Sequence, residues 1–178
     1  ASDVYKRQRQ AREIFDAGAD VVTLGNHTWN RIQIADFLED DRYTLRPANY
    51  TSRVPGRGWG VYDGPGGVRI GVMNLIGRCE MDSNFDNPFT TADRVLRRME
   101  GTDVVLVDFL MPNVDGIQVV SALREMGSTA KCIMISQVSN KELIMKAYNA
   151  GVDFFISKPI NVIEIKRVIE NITRQIQM

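Results

Sequence analysis

The stretch VVLVDFLMPNVDG, residues 104–116, decides how this chain is read. Four apolar residues run into Asp108, and Met111-Pro112 and Asp115-Gly116 then punctuate a loop. A short apolar run bounded by turn residues is the mark of a strand buried on both faces. In an open parallel sheet the reactive groups collect at the carboxyl ends of the strands. Asp108 therefore stands where a nucleophile or a ligand would stand.

Working toward the carboxyl terminus, the rhythm is alternating. Strands at 104–108, 132–136 (CIMIS) and 153–157 (DFFIS) are separated and followed by helical patterns at 115–125, 140–149 and 161–176. Short apolar strands between amphipathic helices predict a mostly parallel sheet covered on both faces, a three-layer α/β fold. The three strand tips carry Asp108, Ser136 and Lys158. A carboxylate can attack a phosphoryl group, a hydroxyl can hydrogen-bond a phosphoryl oxygen, and an ammonium can balance the added charge.

The segments VLVDFLMPNVDG, IMIS and AGVDFFISKP closely resemble the bacterial response-regulator receiver domain over about residues 103–176, with its flavodoxin-like architecture. The intervals, 28 residues from Asp108 to Ser136 and 22 more to Lys158, suit that family. The resemblance implies that Asp108 is the phosphorylated residue, Ser136 the switch hydroxyl and Lys158 the phosphate-pairing lysine. It implies a cis peptide between Lys158 and Pro159, and a switch role for the aromatic Phe155. Mg²⁺ would be held by Asp108 and the backbone carbonyl of Leu110, and the phosphodonor would be a sensor histidine kinase or a small molecule.

Receivers also open with a strand that ends in an acidic pair for Mg²⁺, and no such strand precedes Asp103 at the family's distance. Asp40-Asp41 lies 67 residues before Asp108 and follows a helical pattern, Phe37-Leu38-Glu39. With few hard oxygen ligands, weak Mg²⁺ binding is expected. Gln137, where receivers often carry a small residue, is expected to slow access to the phosphoryl group.

The first half reads differently. Residues 9–17 form a short helical pattern that Gly18 can cap, and DVVTL (20–24) is a β-branched strand that stops at GNHTWN (25–30). Asn30 can cap a helix over 31–39, TLRPANY (44–50) is extended, and a helix follows Pro88 over about 89–99. GWGVYD (58–63) and VRIGVMNLIG (68–77) flank a turn and predict a β-hairpin inserted in this half. DVVTLGNHTWN, LRPANY, PGRGW, VRIGVMNLIGR and the segment around PFTTADRVL resemble the calcineurin-like metallophosphoesterases, of the bacterial 2′,3′-cyclic-nucleotide phosphodiesterase type, over about residues 9–108. The resemblance implies that Asn26 is a metal ligand and that His27 contacts substrate or protonates the leaving oxygen. Such enzymes hold two Mn²⁺ or iron ions, and with His27 as the chain's one histidine full loading is not expected.

Composition bounds these readings. Apolar and charged fractions of 44% and 25% are those of a globular domain. With 22 basic and 22 acidic residues there is no electrostatic footprint for nucleic acid or an anionic membrane. No apolar run reaches membrane-spanning length. Cys79 and Cys132, in no CxxC pattern, read as reduced thiols of a cytoplasmic protein. Residues 1–8 begin without Met and read as a non-native leader.

The expected domains are thus a leader at 1–8, a partial metallophosphoesterase at 9–102 and a partial receiver at 103–178. Residues 1–100 hold 13 Arg and 1 Lys, residues 101–178 hold 3 Arg and 5 Lys, a shift that fits two sources. Both families use a strand of the form VVLVDF here, so the join falls inside a strand at about 103–109, and the chain reads as a chimera of two truncated domains. Strands 20–24 and 68–77 are expected beside 104–108, with a loose fit between unrelated halves. The leading function is a phosphorelay signalling module accepting phosphoryl on Asp108. The alternatives are a metal-dependent phosphodiesterase acting on cyclic nucleotides, and an inactive chimera.

Overall fold

The computed structural model describes residues 12–29, 34–77, 85–110, 116–137 and 140–176. It begins with helix α1 (residues 12–16), strand β1 (Val22–Thr23), helix α2 (Ala35–Asp40) and strand β2 (Thr44–Leu45). β1 and β2 pair in parallel as a small sheet of their own. The helix cap expected at Asn30 lies outside the described residues. α2 starts after Ile34, which makes no side-chain cap bond.

The main sheet contains β3 (Trp59–Asp63), β4 (Arg69–Ile76), β5 (Val104–Leu110), β6 (Lys131–Ser136) and β7 (Phe154–Ser157), in that spatial order. β3 is antiparallel to β4, and every other neighbouring pair is parallel. The α/β reading holds, and the helices α3 (Pro88–Arg98), α4 (Gly116–Glu125), α5 (Lys141–Asn149) and α6 (Val162–Ile176) fall where the periodicity put them.

The predicted hairpin forms as β3-β4, and its second strand takes the place expected for 68–77: β4 joins β5 over seven register pairs, from Ile70↔Val104 to Ile76↔Leu110. One expectation is corrected: strand 20–24 does not pair with 104–108. Only Val22 and Thr23 are extended, too few to compete for the β5 edge with β4, whose last six residues are all buried. The short strand crosses to β2 instead.

The core crosses the join between the halves. One cluster on the α3–α4–α5 face combines Met73, Leu75, Val95 and Leu96 with Val105, Val107, Val119, Val120, Cys132 and Met134. The opposite face packs Ile133, Ile135 and Ile156 against Ile172 of α6. Each fully buried aliphatic side chain contributes about 1.5–3 kcal/mol, and apolar residues from both sides of residue 103 share this one layer. α3 enters that layer because Pro88 opens the helix and the Asn87 side chain caps it, Oδ1 accepting from Phe89 N–H at 2.8 Å. Its Ala92, Val95 and Leu96 then share one buried stripe.

The two sheets are stitched together by close backbone approach. A Cβ on Gly58 would lie 2.1 Å from the Ala48 Cα, so only glycine fits there. This lets Arg46 N–H donate to Arg57 O at 2.9 Å and Ala48 N–H to Asn74 O at 2.7 Å. Among the described residues, no helix is long and apolar enough to cross a membrane.

Candidate functional site

Asp108 sits near the end of β5, in register with Asn74 on β4 and Ile135 on β6. Register partners in a parallel sheet project to one face, so Asn74 and Asp108 share the face that carries α6. Asp108 is 4% exposed. A carboxylate that deep needs partners, and two are present. Lys158 Nζ lies 2.7 Å from Oδ1, and Thr23 Oγ1 donates to Oδ2 at 2.8 Å. Oδ1 has no aligned hydrogen bond among the described residues, so the Lys158 contact acts as an ion pair.

Lys158 links the three strand tips singled out in the sequence. Its ammonium meets Asp108, while its backbone N–H donates to the Ser136 carbonyl at 2.8 Å. Ser136 is buried and pairs in register with Phe109 on β5 and Ser157 on β7. The Lys158–Pro159 peptide is cis, as the resemblance implied. Phe155, on β7 beside Met134, is partly buried against the α3–α4–α5 core. Gln137 is exposed immediately after β6.

Thr23 and Asn74 are the residues of this candidate site that reading the sequence missed. Thr23 was absorbed into the β-branched run DVVTL, where threonine is an ordinary strand residue. Asn74 did leave a signal: it is the one polar side chain in the run Gly71–Ile76 of β4. It is completely buried, and its Nδ2 donates to Leu24 O at 2.8 Å and Leu45 O at 3.0 Å. Those bonds hold the small β1-β2 sheet over the tip of β5 and bring Thr23 to Asp108. Asn74 Oδ1 is buried without a hydrogen bond among the described residues. Asn49 does similar work one layer away, donating to Ile76 O at 2.8 Å and accepting from Ile76 N–H at 3.0 Å.

Asn26 and His27 lie in the 3₁₀ turn Asn26–Trp29 that follows β1, and His27 is exposed. Among the described residues, no group of three or more His, Cys, Asp or Glu is arranged to hold a metal ion. The described residues near this turn therefore do not supply the donor set of a two-metal centre. At Asp108 the fit to Mg²⁺ is also poor. Lys158 and Thr23 engage its two oxygens, and its β4 register partner is the neutral Asn74 rather than a carboxylate. Leu110, the expected carbonyl ligand, is the last residue of β5. Asp40 ends α2 and Asp41 follows it, Asp41 accepting from Tyr43 N–H at 2.9 Å, which is a turn role.

Two families match this chain. Residues 6–114 match the family described as YmdB-like protein, and residues 74–170 match the response regulator receiver domain. The two matches overlap over residues 74–114, which include the end of β4, α3 and β5. The 2′,3′-cyclic-nucleotide 2′-phosphodiesterase of Bacillus subtilis (strain 168) is 36% identical over 97 residues, covering 54% of this chain and 36% of that protein. The transcriptional regulatory protein GlnL of the same organism is 42% identical over 76 residues, covering 43% of this chain and 24% of that protein. The chain thus spans about a third and a quarter of their lengths. Among solved structures, a hypothetical protein from Thermus thermophilus superposes with a TM-score of 0.60 at 30% identity, over 71% of this chain and 48% of that one.

Proposed function

The chain belongs to the YmdB-like family over residues 6–114 and to the response regulator receiver family over residues 74–170, and from that double membership we propose that it is a phosphoacceptor module of phosphorelay signalling, with Asp108 as acceptor. The observation that carries this reading is the contact of the buried Asp108 with the half-buried Lys158 at 2.7 Å. A carboxylate held beside an ammonium at a strand tip is poised to receive a phosphoryl group whose extra charge that ammonium can meet.

In the proposed step an Asp108 oxygen attacks the phosphorus of the donor. A new O–P bond forms, and the bond from phosphorus to the donor's leaving group breaks. With acetyl phosphate the leaving group is acetate, which takes the electron pair and needs no proton. Lys158 moves its contact from Oδ1 to a phosphoryl oxygen, and the Ser136 hydroxyl donates to another. The reorientation of Phe155 is the proposed readout of that change. A sensor histidine kinase or a small phosphodonor supplies the phosphoryl group. The described residues gather no group of three metal-capable side chains, so a divalent ion would be held weakly here.

Treating the purified chain with acetyl phosphate and locating the acyl phosphate by peptide mapping tests the reading. Wild type is expected to be modified at Asp108 and Asp108→Asn not at all. The domain division at about residues 102–103 belongs to the same proposal, the hybrid site being built from both sides of it.

A further inference from the structure

A second site lies away from Asp108, where β3 and the segment before it face α3. A cavity of about 580 Å³ opens there, within the size range of small-molecule sites. Its wall includes Arg42, Arg57, Arg94 and Arg98, with Trp59 and Tyr62 as ring surfaces, and no carboxylate lines it among the described residues. Arg94 and Arg98 are four apart on α3, so they rise from one helix face. Among the described residues, Arg57, Arg94 and Arg98 form no ion pair, and all three side chains are exposed.

The floor of the cavity adds a stronger signal. Arg46 is 6% exposed, and its guanidinium is spent on backbone carbonyls: Nε to Pro55 O at 3.0 Å, Nη1 to Pro47 O at 2.9 Å and Nη2 to Val54 O at 3.4 Å. No carboxylate contacts it directly among the described residues. Burial pulls its proton affinity down from the ordinary value, and neighbouring Tyr50 and Glu39 only offset that. Nearby acids are committed elsewhere, Glu39 to Gly56 N–H at 3.0 Å and Asp41 to Tyr43 N–H at 2.9 Å. Arg42 leans over the Tyr43 ring, 5.3 Å from its centroid. A buried cation beneath a ring of guanidiniums creates a positive well that a polyvalent anion would relieve.

We propose that this cavity binds an oligophosphate, with Arg57, Arg94 and Arg98 as the clamp and Arg46 setting the potential beneath them. Guanidiniums suit the task because each presents a planar fork of donors to phosphate oxygens. Trp59 offers a flat surface to an aromatic group attached to the phosphates.

Calorimetric titration of the full chain with inorganic pyrophosphate and, separately, with ADP tests the site. Both are expected to bind, more weakly as salt is raised, and the double variant Arg94→Gln/Arg98→Gln is expected to lose at least tenfold in affinity for each. These positions are exposed on α3, and an unchanged circular dichroism spectrum would show that the variant folds. Asp108→Asn is expected to bind as wild type does. Tighter binding of ADP, reduced by Trp59→Leu, would support a stacked ring. No binding of either ligand, binding of ADP without pyrophosphate, or affinity unchanged in the double arginine variant would overturn the proposal.

Discussion

The hydroxyl of Thr23 donates a hydrogen bond of 2.8 Å to Oδ2 of Asp108, 85 residues further along the chain. Thr23 comes from the strand at the front of the phosphoesterase-like half, and Asp108 from the strand that both families share. The bond exists because Asn74 pins the carbonyls of Leu24 and Leu45 above the tip of β5. Thr23, Asn74 and Asp108 all lie within the YmdB-like match and Lys158 within the receiver match, so the candidate site draws on residues of both.

Thr23→Val keeps the shape of the side chain and removes the donor. The buried carboxylate then loses one of its two partners, at a cost of about 1–3 kcal/mol. Chemical unfolding is expected to show that loss. Modification of Asp108 by acetyl phosphate is expected to slow several-fold, because the carboxylate is less well oriented. Thr23→Ser, which retains the hydroxyl, is expected to stay near wild type on both measures.

Much of this arrangement was legible in the sequence, and the limits have physical causes. Asp108, Ser136 and Lys158 could be read because each closes a short apolar run before a turn, a pattern set locally. The positions of α3 to α6 followed from helical spacing for the same reason. Placement of β1 could not be read, since pairing is decided by competition among distant strands and DVVTL does not encode its rival β4. Thr23 was invisible as a ligand because its partner is so far away. Asn74 was readable as an anomaly in an apolar strand, but its acceptors, two backbone carbonyls, carry no side-chain signature.

Arg124 is expected to be the chief polar anchor of the receiver half. From α4 it donates to Gly151 O at 2.7 Å, Ala130 O at 2.7 Å and Ser128 O at 3.1 Å, and it pairs with Asp153 at 2.8 Å. Arg124→Ala would leave these partly buried acceptors short of donors, with a loss of about 2–4 kcal/mol read from the urea midpoint. Arg124→Lys is expected to recover little, because one ammonium cannot span the fork of contacts.

Cys132, in the interior of β6, is expected to be inert in the folded protein. Burial pushes its thiol up to about 12, with Arg124 opposing and Asp153 reinforcing the shift. The folded state thus keeps this proton longer than an unfolded chain would. Its contribution is intact below the ordinary thiol value of 9.0 and is lost as pH rises from there toward about 12. Iodoacetamide at a pH of about 8, below that ordinary value, is expected to leave Cys132 unlabelled in native protein and to label it in urea, as peptide mapping would show. Cys132→Ser is expected to remove the alkaline loss associated with this group.

The proposed role of Asp108 as a phosphoacceptor served by Lys158 is tested by the rate and site of acyl phosphate formation with acetyl phosphate, compared among wild type, Asp108→Asn and Lys158→Met. Modification is expected to be confined to Asp108, absent in Asp108→Asn, and at least tenfold slower in a folded Lys158→Met. Modification at another carboxylate, or none in a folded wild-type chain, would contradict it.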